Sequence, residues 1–189
     1  VSMFSDAAFN QDISAWDVSS VTNMGNMFTR ASAFDQPIGD WDVSNVINME
    51  TMFSVWYESD ALAFDQPIGD WDVTNVSTMG GMFIDATAFN QPIGDWDVTN
   101  VANMSSMFEN TQAFNQDISS WDVSSVTNMI EMFDYATNFN QNLSNWQFNA
   151  DVYLNDFITN SGLDINNYDA LLEAFSNQNL INRILVTLP

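Results

Sequence analysis

Asp40 and Asp42, Asp70 and Asp72, and Asp95 and Asp97 are three pairs of acids, each pair split by a single residue. In an extended segment, residues i and i+2 share a face, so each pair presents two carboxylates together. Segments paired side by side lie about 4.8 Å apart. At that spacing two like charges repel by about 0.9 kcal/mol even in bulk water. Six such carboxylates are a standing cost that a cation or a basic partner would offset. Hard oxygen ligands suit Ca²⁺, which takes roughly 6–8 of them. The six aspartates are therefore the candidate ligands for Ca²⁺ between adjacent coils, and the candidate face for a positive partner. The plainer reading is a soluble, exposed face whose charge is screened by salt. No Asp-x-Asp-x-Asp-Gly loop is present, so a Ca²⁺ affinity from these residues is expected to be modest.

Trp56 and Tyr57 form a second candidate. Six of the seven tryptophans recur in register and Trp56 does not. An exposed Trp-Tyr tip could be a contact hot spot or stack on a sugar ring; the alternative folds Trp56 back as packing. A column of hydroxyls (Ser19, Ser44, Thr74, Thr99, Ser124) is compatible with a carbohydrate- or ice-binding surface, but Ser and Thr at such places more commonly make turns.

Catalysis has few means here. The chain has no Cys, His or Lys, which removes triads, thiolates and Schiff bases and the usual zinc ligands. A carboxylate pair of the glycosidase kind needs only two acids about 5–10 Å apart, which any acidic protein supplies, so no enzyme is expected. The formal net charge is -23, with only Arg30 and Arg183 as cations. That excludes sequence-independent nucleic-acid binding and disfavours anionic lipid. No run approaches the ~18 apolar residues of a membrane span. Lack of cysteine leaves the compartment open.

The elements that must position these residues are repetitive. All 11 methionines fall on a 25-residue clock: Met3, then Met24/Met27, Met49/Met52, Met79/Met82, Met104/Met107 and Met129/Met132. Trp16, Trp41, Trp71, Trp96, Trp121 and Trp146 follow it too, with one 30-residue interval between Trp41 and Trp71. A fixed period of this size marks a stack of coils, none of which can bury its apolar face alone. Trp-Asp-Val alternates like a short strand. Met-x-x-Met-Phe, spaced i, i+3, i+4, fits one helical or 3₁₀ turn. Gln-Pro-Ile-Gly-Asp, at Pro37, Pro67 and Pro92, marks a tight turn into the strand. The Asn column (Asn23, Asn48, Asn103, Asn128) and the Gln column are expected to satisfy backbone groups in the bends.

The spacing Ile13-x-x-Trp16-x-Val18 maps onto the strand of leucine-rich repeats. The run Phe-Asn-Gln-Asp-Ile-Ser-x-Trp-Asp-Val-Ser-x-Val-Thr-Asn-Met-x-x-Met-Phe resembles the tandem repeat of BspA-like leucine-rich-repeat surface proteins, over residues 1 to about 160. The chain departs from it at a five-residue insertion around Ser54–Glu58. The resemblance implies attachment and recognition at a cell surface or outside the cell, without catalytic residues.

The expected fold is an α/β solenoid: a leucine-rich-repeat-like right-handed coil with short parallel strands on one face, short helical or 3₁₀ turns on the other, and a C-terminal cap. Residues 1–148 hold six tandem repeats, the first truncated. Residues 149–189 form the cap: a degenerate coil, an amphipathic helix from about Asp164 to Phe175 capped by Asp164 or Asn166, and a last strand over Arg183–Leu188. The expected function is recognition of a protein or glycan on another surface by a monomeric fragment of a larger chain. The alternative is a structural spacer or stalk.

Overall fold

The computed structural model describes residues 3–5, 8–55 and 62–180. Its organising feature is a set of backbone hydrogen bonds that step forward by one repeat. The N–H groups of Met24, Asn26, Phe28 and Arg30 donate to the carbonyls of Asn48, Glu50, Met52 and Ser54 at 2.7–3.0 Å. The same four donors recur in each following coil, ending with Tyr135, which donates to Thr159.

The chain does not form the expected α/β solenoid. Among the described residues there is one helix, α1 (Ile165–Asn177). Their β pairing is limited to isolated parallel bridges, Asn23 to Asn48, Asn48 to Thr78, Thr78 to Asn103, Asn103 to Asn128 and Asn128 to Tyr153. Trp-Asp-Val forms no strand because a turn closes on each side of it. Trp41 N–H donates to the Ile38 carbonyl at 3.1 Å, and Val46 N–H to the Val43 carbonyl at 2.8 Å. The few residues between two such turns cannot sustain a ladder.

Met-x-x-Met-Phe fails to be helical for a different reason. Its second x residue is left-handed in each coil: Asn26, Thr51, Gly81, Ser106, Glu131 and Asp156 have φ of 51–62°. A single such residue interrupts a right-handed turn: the Met27 N–H still closes on the Met24 carbonyl at 3.1 Å, but those of Met24, Asn26 and Phe28 donate to the next coil. The cross-coil ladder therefore runs through the segment that spacing marks as helical. The leucine-rich-repeat strand assigned to Ile13-x-x-Trp16-x-Val18 falls with it.

The core is a set of columns. Phe28, Phe53, Phe83, Phe108 and Phe133 stack on one another at 5.6–5.8 Å between ring centroids. Each also stacks within its coil on Phe34, Phe64, Phe89, Phe114 or Phe139 at 3.9–4.1 Å. Tryptophan stitches coil to coil. The indole N–H groups of Trp41, Trp71, Trp96, Trp121 and Trp146 donate to the carbonyls of Ile13, Ile38, Ile68, Ile93 and Ile118 at 3.0–3.2 Å. All five are buried, whereas Trp16 in the first coil is 42% exposed.

The bends are closed by amides. Asn23, Asn48, Asn103 and Asn128 each accept the N–H two residues on, at 2.8–3.2 Å. Gln116 and Gln141 reach back to Asn90 and Asn115 of the preceding coil.

At the far end, Asp164 caps α1 by accepting the N–H groups of Asn166 and Asn167 at 2.9 and 3.0 Å, which satisfies donors a helix start leaves open. Leu171, Ala174 and Phe175 are the buried residues of α1, and Phe175 lies 4.9 Å from Phe148 between ring centroids. Gln178 accepts from Phe148 N–H and donates to the Trp146 carbonyl, both at 2.9 Å. The last strand expected over Arg183–Leu188 lies outside the described residues.

Candidate functional site

The three aspartate pairs are divided by the turns that flank them. Gly39 and Asp40 are the central residues of the turn closed by Trp41 and Ile38, so Asp40 projects from a corner. Gly69–Asp70 and Gly94–Asp95 repeat this one coil further on each time. A Cβ on Gly39 would lie 2.4 Å from the Pro67 carbonyl oxygen of the next coil, and glycine permits that close approach. The result is a shallow groove of about 490 Å³ running across four coils. Asp40, Asp70 and Asp95 line it, with Asp117, Gln116 and the Gly-Pro floor between them.

Asp42, Asp72 and Asp97 turn to their own chain instead. Asp42 Oδ1 accepts the Ser44 N–H at 3.1 Å and its hydroxyl at 2.6 Å. Asp97 holds Thr99 in the same way, at 3.1 and 2.6 Å, and Asp72 accepts the Thr74 N–H at 3.1 Å. The Ser44 hydroxyl and then its N–H hold the Asp42 carboxyl below its ordinary range, opposed slightly by the charge of Asp17. Thr99 does the same for Asp97, opposed by Asp122. Ser19, Ser44 and Thr99 thus direct their hydroxyl protons at their own aspartates, which accounts for the hydroxyl column as turn chemistry.

Among the described residues no group of three or more acidic side chains is placed to hold a metal ion. The six aspartates named as Ca²⁺ ligands are among these residues and form no such group. Trp56 and Tyr57 lie outside the described residues. Next to them Val55 is fully buried, and Ser54 is buried with its hydroxyl donating to the Thr51 carbonyl at 3.0 Å.

Sequence reasoning passed over Asp117 and the glycines. The signal was available: Pro37, Pro67 and Pro92 share a column with Asp117, where the proline run ends in an acid. It also passed over a second acidic group. Burial, then the nearby carboxylates of Glu131, Asp134 and Asp85, push the Glu109 carboxyl up, against the Ser106 hydroxyl. Burial pushes Asp134 up as well, and its Oδ1 is buried without a hydrogen-bond partner.

Among the described residues no helix is long and apolar enough to cross a membrane. A protein-family profile described as "Mycoplasma protein of unknown function, DUF285" matches residues 1–58 and 55–170. No curated protein and no solved structure matches the chain.

Proposed function

The chain belongs to the DUF285 family, whose description assigns no activity, and from its own surface we propose that it is a non-catalytic recognition module at a cell surface or outside the cell. Its partner is an extended basic segment laid along the stack. The observation that carries this reading is the groove, in which Asp40, Asp70 and Asp95 repeat along three consecutive coils and Asp117, at the proline position of the fourth, adds a further acid. A repeated acid at coil spacing suits a partner with repeated cations, and a net charge of -23 steers such a partner in. The resemblance of the repeat to BspA-like surface proteins supports attachment as the role.

Calorimetric titration of the 189-residue chain with decalysine tests it. Binding should weaken steeply with salt and be lost in Asp40→Asn/Asp70→Asn/Asp95→Asn. Undiminished binding by that triple variant would overturn the groove assignment. Repeating the titration with Ca²⁺ or a chelator at matched ionic strength separates direct pairing from a Ca²⁺-bridged contact. If calcium binds the folded state, it also raises the melting temperature.

A structural spacer is the second reading, favoured by the use of Asp42, Asp72 and Asp97 within their own turns. A spacer keeps its partners and its attachment when the groove aspartates become asparagine.

A further inference from the structure

Three departures from the repeat meet at one place apart from the acidic groove. The residue after the first methionine of each coil reads Gly25, Glu50, Gly80, Ser105 and Ile130, so Glu50 is the one acid in that column. Two residues earlier in the repeat, Thr78 stands where Asn23, Asn48, Asn103 and Asn128 supply amides. Gly80–Gly81 then removes two adjacent side chains. The three are joined: Thr78 Oγ1 donates to Glu50 Oε1 at 2.8 Å, and Asn103 Nδ2 donates to the same oxygen at 3.2 Å. Around them lies a cleft of about 250 Å³ walled by Glu50, Thr51, Gly80, Gly81, Ile84 and Asn103, among others.

The backbone demands neither glycine. Glu50, Ser105 and Ile130 take the place of Gly80 in other coils, and Asn26, Ser106 and Glu131 adopt the positive φ of Gly81. A Cβ on Gly81 would meet Ile84 Cδ1 at 2.8 Å and Thr51 Cγ2 at 3.0 Å. Both side-chain ends pack close over Gly81, and Ile84, only 4% exposed, borders the cleft with Thr51. The cleft therefore pairs a short apolar wall with a carboxylate whose two accepted bonds both fall on Oε1, leaving Oε2 as an acceptor.

The geometry points to a binding site for a primary alkylammonium group, free or on a lysine side chain. Glu50 is the counter-ion, and Gly80, Gly81 and Ile84 receive the aliphatic stem. An ammonium brings three donors and no acceptor on a flexible chain, which matches the Glu50 carboxylate and the short apolar wall beside it in a strongly acidic protein. Charge-assisted hydrogen bonding gives the carboxylate most of the selectivity.

Amide ¹H–¹⁵N spectra of the 189-residue chain, titrated with butylammonium chloride, test the site. Sodium chloride and tetramethylammonium chloride at matched ionic strength are the controls. The Gly80 and Gly81 amides should shift saturably with butylammonium alone. Glu50→Gln keeps an acceptor for Thr78 and should weaken binding by about tenfold or more. Gly81→Asn, tolerant of positive φ, should fill the cleft and abolish the shifts, and it serves if Glu50→Gln does not fold. Acetyl-Gly-Lys-Gly-amide in place of butylammonium separates the sources: tighter binding assigns the site to lysine side chains, equal or weaker binding to free amines. If Glu50 merely repairs the amide ladder, butylammonium moves Gly80 and Gly81 no more than sodium does, or Glu50→Gln binds as well as the native chain; either result overturns the proposal.

Discussion

Asp40 and Asp42 are separated by one tryptophan and end with different tasks, because hydrogen bonds within its turn claim only the second carboxylate. Asp42 accepts from Ser44 and is held below its ordinary range, while Asp40 faces the groove. Replacing Ser44 with Ala removes the hydroxyl, so Asp42 should titrate nearer the ordinary carboxylate value in a ¹³C-detected titration. Its pKa is depressed in the folded state, so the stability Ser44 lends is present above the unfolded value and lost as pH falls through the folded one. Ser44→Ala should therefore lower the melting temperature at neutral pH more than in acid. The pairs were legible in the sequence but their separation was not, since i and i+2 share a face only in an extended strand and Gly39–Asp40 is a turn. Left-handed backbone was equally hidden, because most residues that adopt it here are not glycine. Tyr135 has φ of 53° and is 53% exposed, where the other left-handed residues of the column are Arg30, Asp85, Asn110 and Asn160. Tyr135→Asn should stabilise the chain by about 1 kcal/mol, visible as a raised melting temperature.

At the scale of elements, the amphipathic pattern and Asp164 located α1 closely, because capping and a 3.6-residue period are local signals. The coil elements depart from the sequence expectation because two periodicities that match intrastrand and intrahelical patterns have another origin. In the folded chain they are stacking registers, with Met and Phe columns that face inward whatever the local backbone does. Tryptophan shows how one element holds the next. Trp96 Nε1 donates to the Ile68 carbonyl at 3.1 Å while its ring is buried. Trp96→Phe should cost about 1–3 kcal/mol through the lost bond and the smaller ring, read as a lower denaturant midpoint. Trp16→Phe, at a half-open ring with 42% exposure, should cost much less in the same measurement.

For the whole molecule the dominant quantity is charge. With 25 acids and two arginines, self-repulsion opposes folding, and added sodium chloride should raise the melting temperature by screening. Glu109 makes part of that cost specific. Burial and its neighbouring carboxylates raise its pKa in the folded state, so the folded chain binds more protons than the unfolded chain from the ordinary glutamate value upward. Stability must then fall as pH rises through that window. Glu109→Gln should raise the melting temperature at neutral pH and flatten its rise toward mild acid. Composition announced the excess of charge, but which acids crowd together depended on the ladder, and the ladder was invisible until the left-handed residues placed it. That ladder has one further consequence. Four N–H groups per coil donate toward the C-terminal side, while one or two return, as Ile47 does to Thr22 and Ala63 to Ser32. Their peptide dipoles add rather than alternate, giving the stack a fixed electrical polarity with its positive end toward α1, opposite in sense to an α-helix of the same direction. Backbone polarity of this kind adds to the dipole that the charged side chains set, and no aspartate substitution would reverse the backbone's own share.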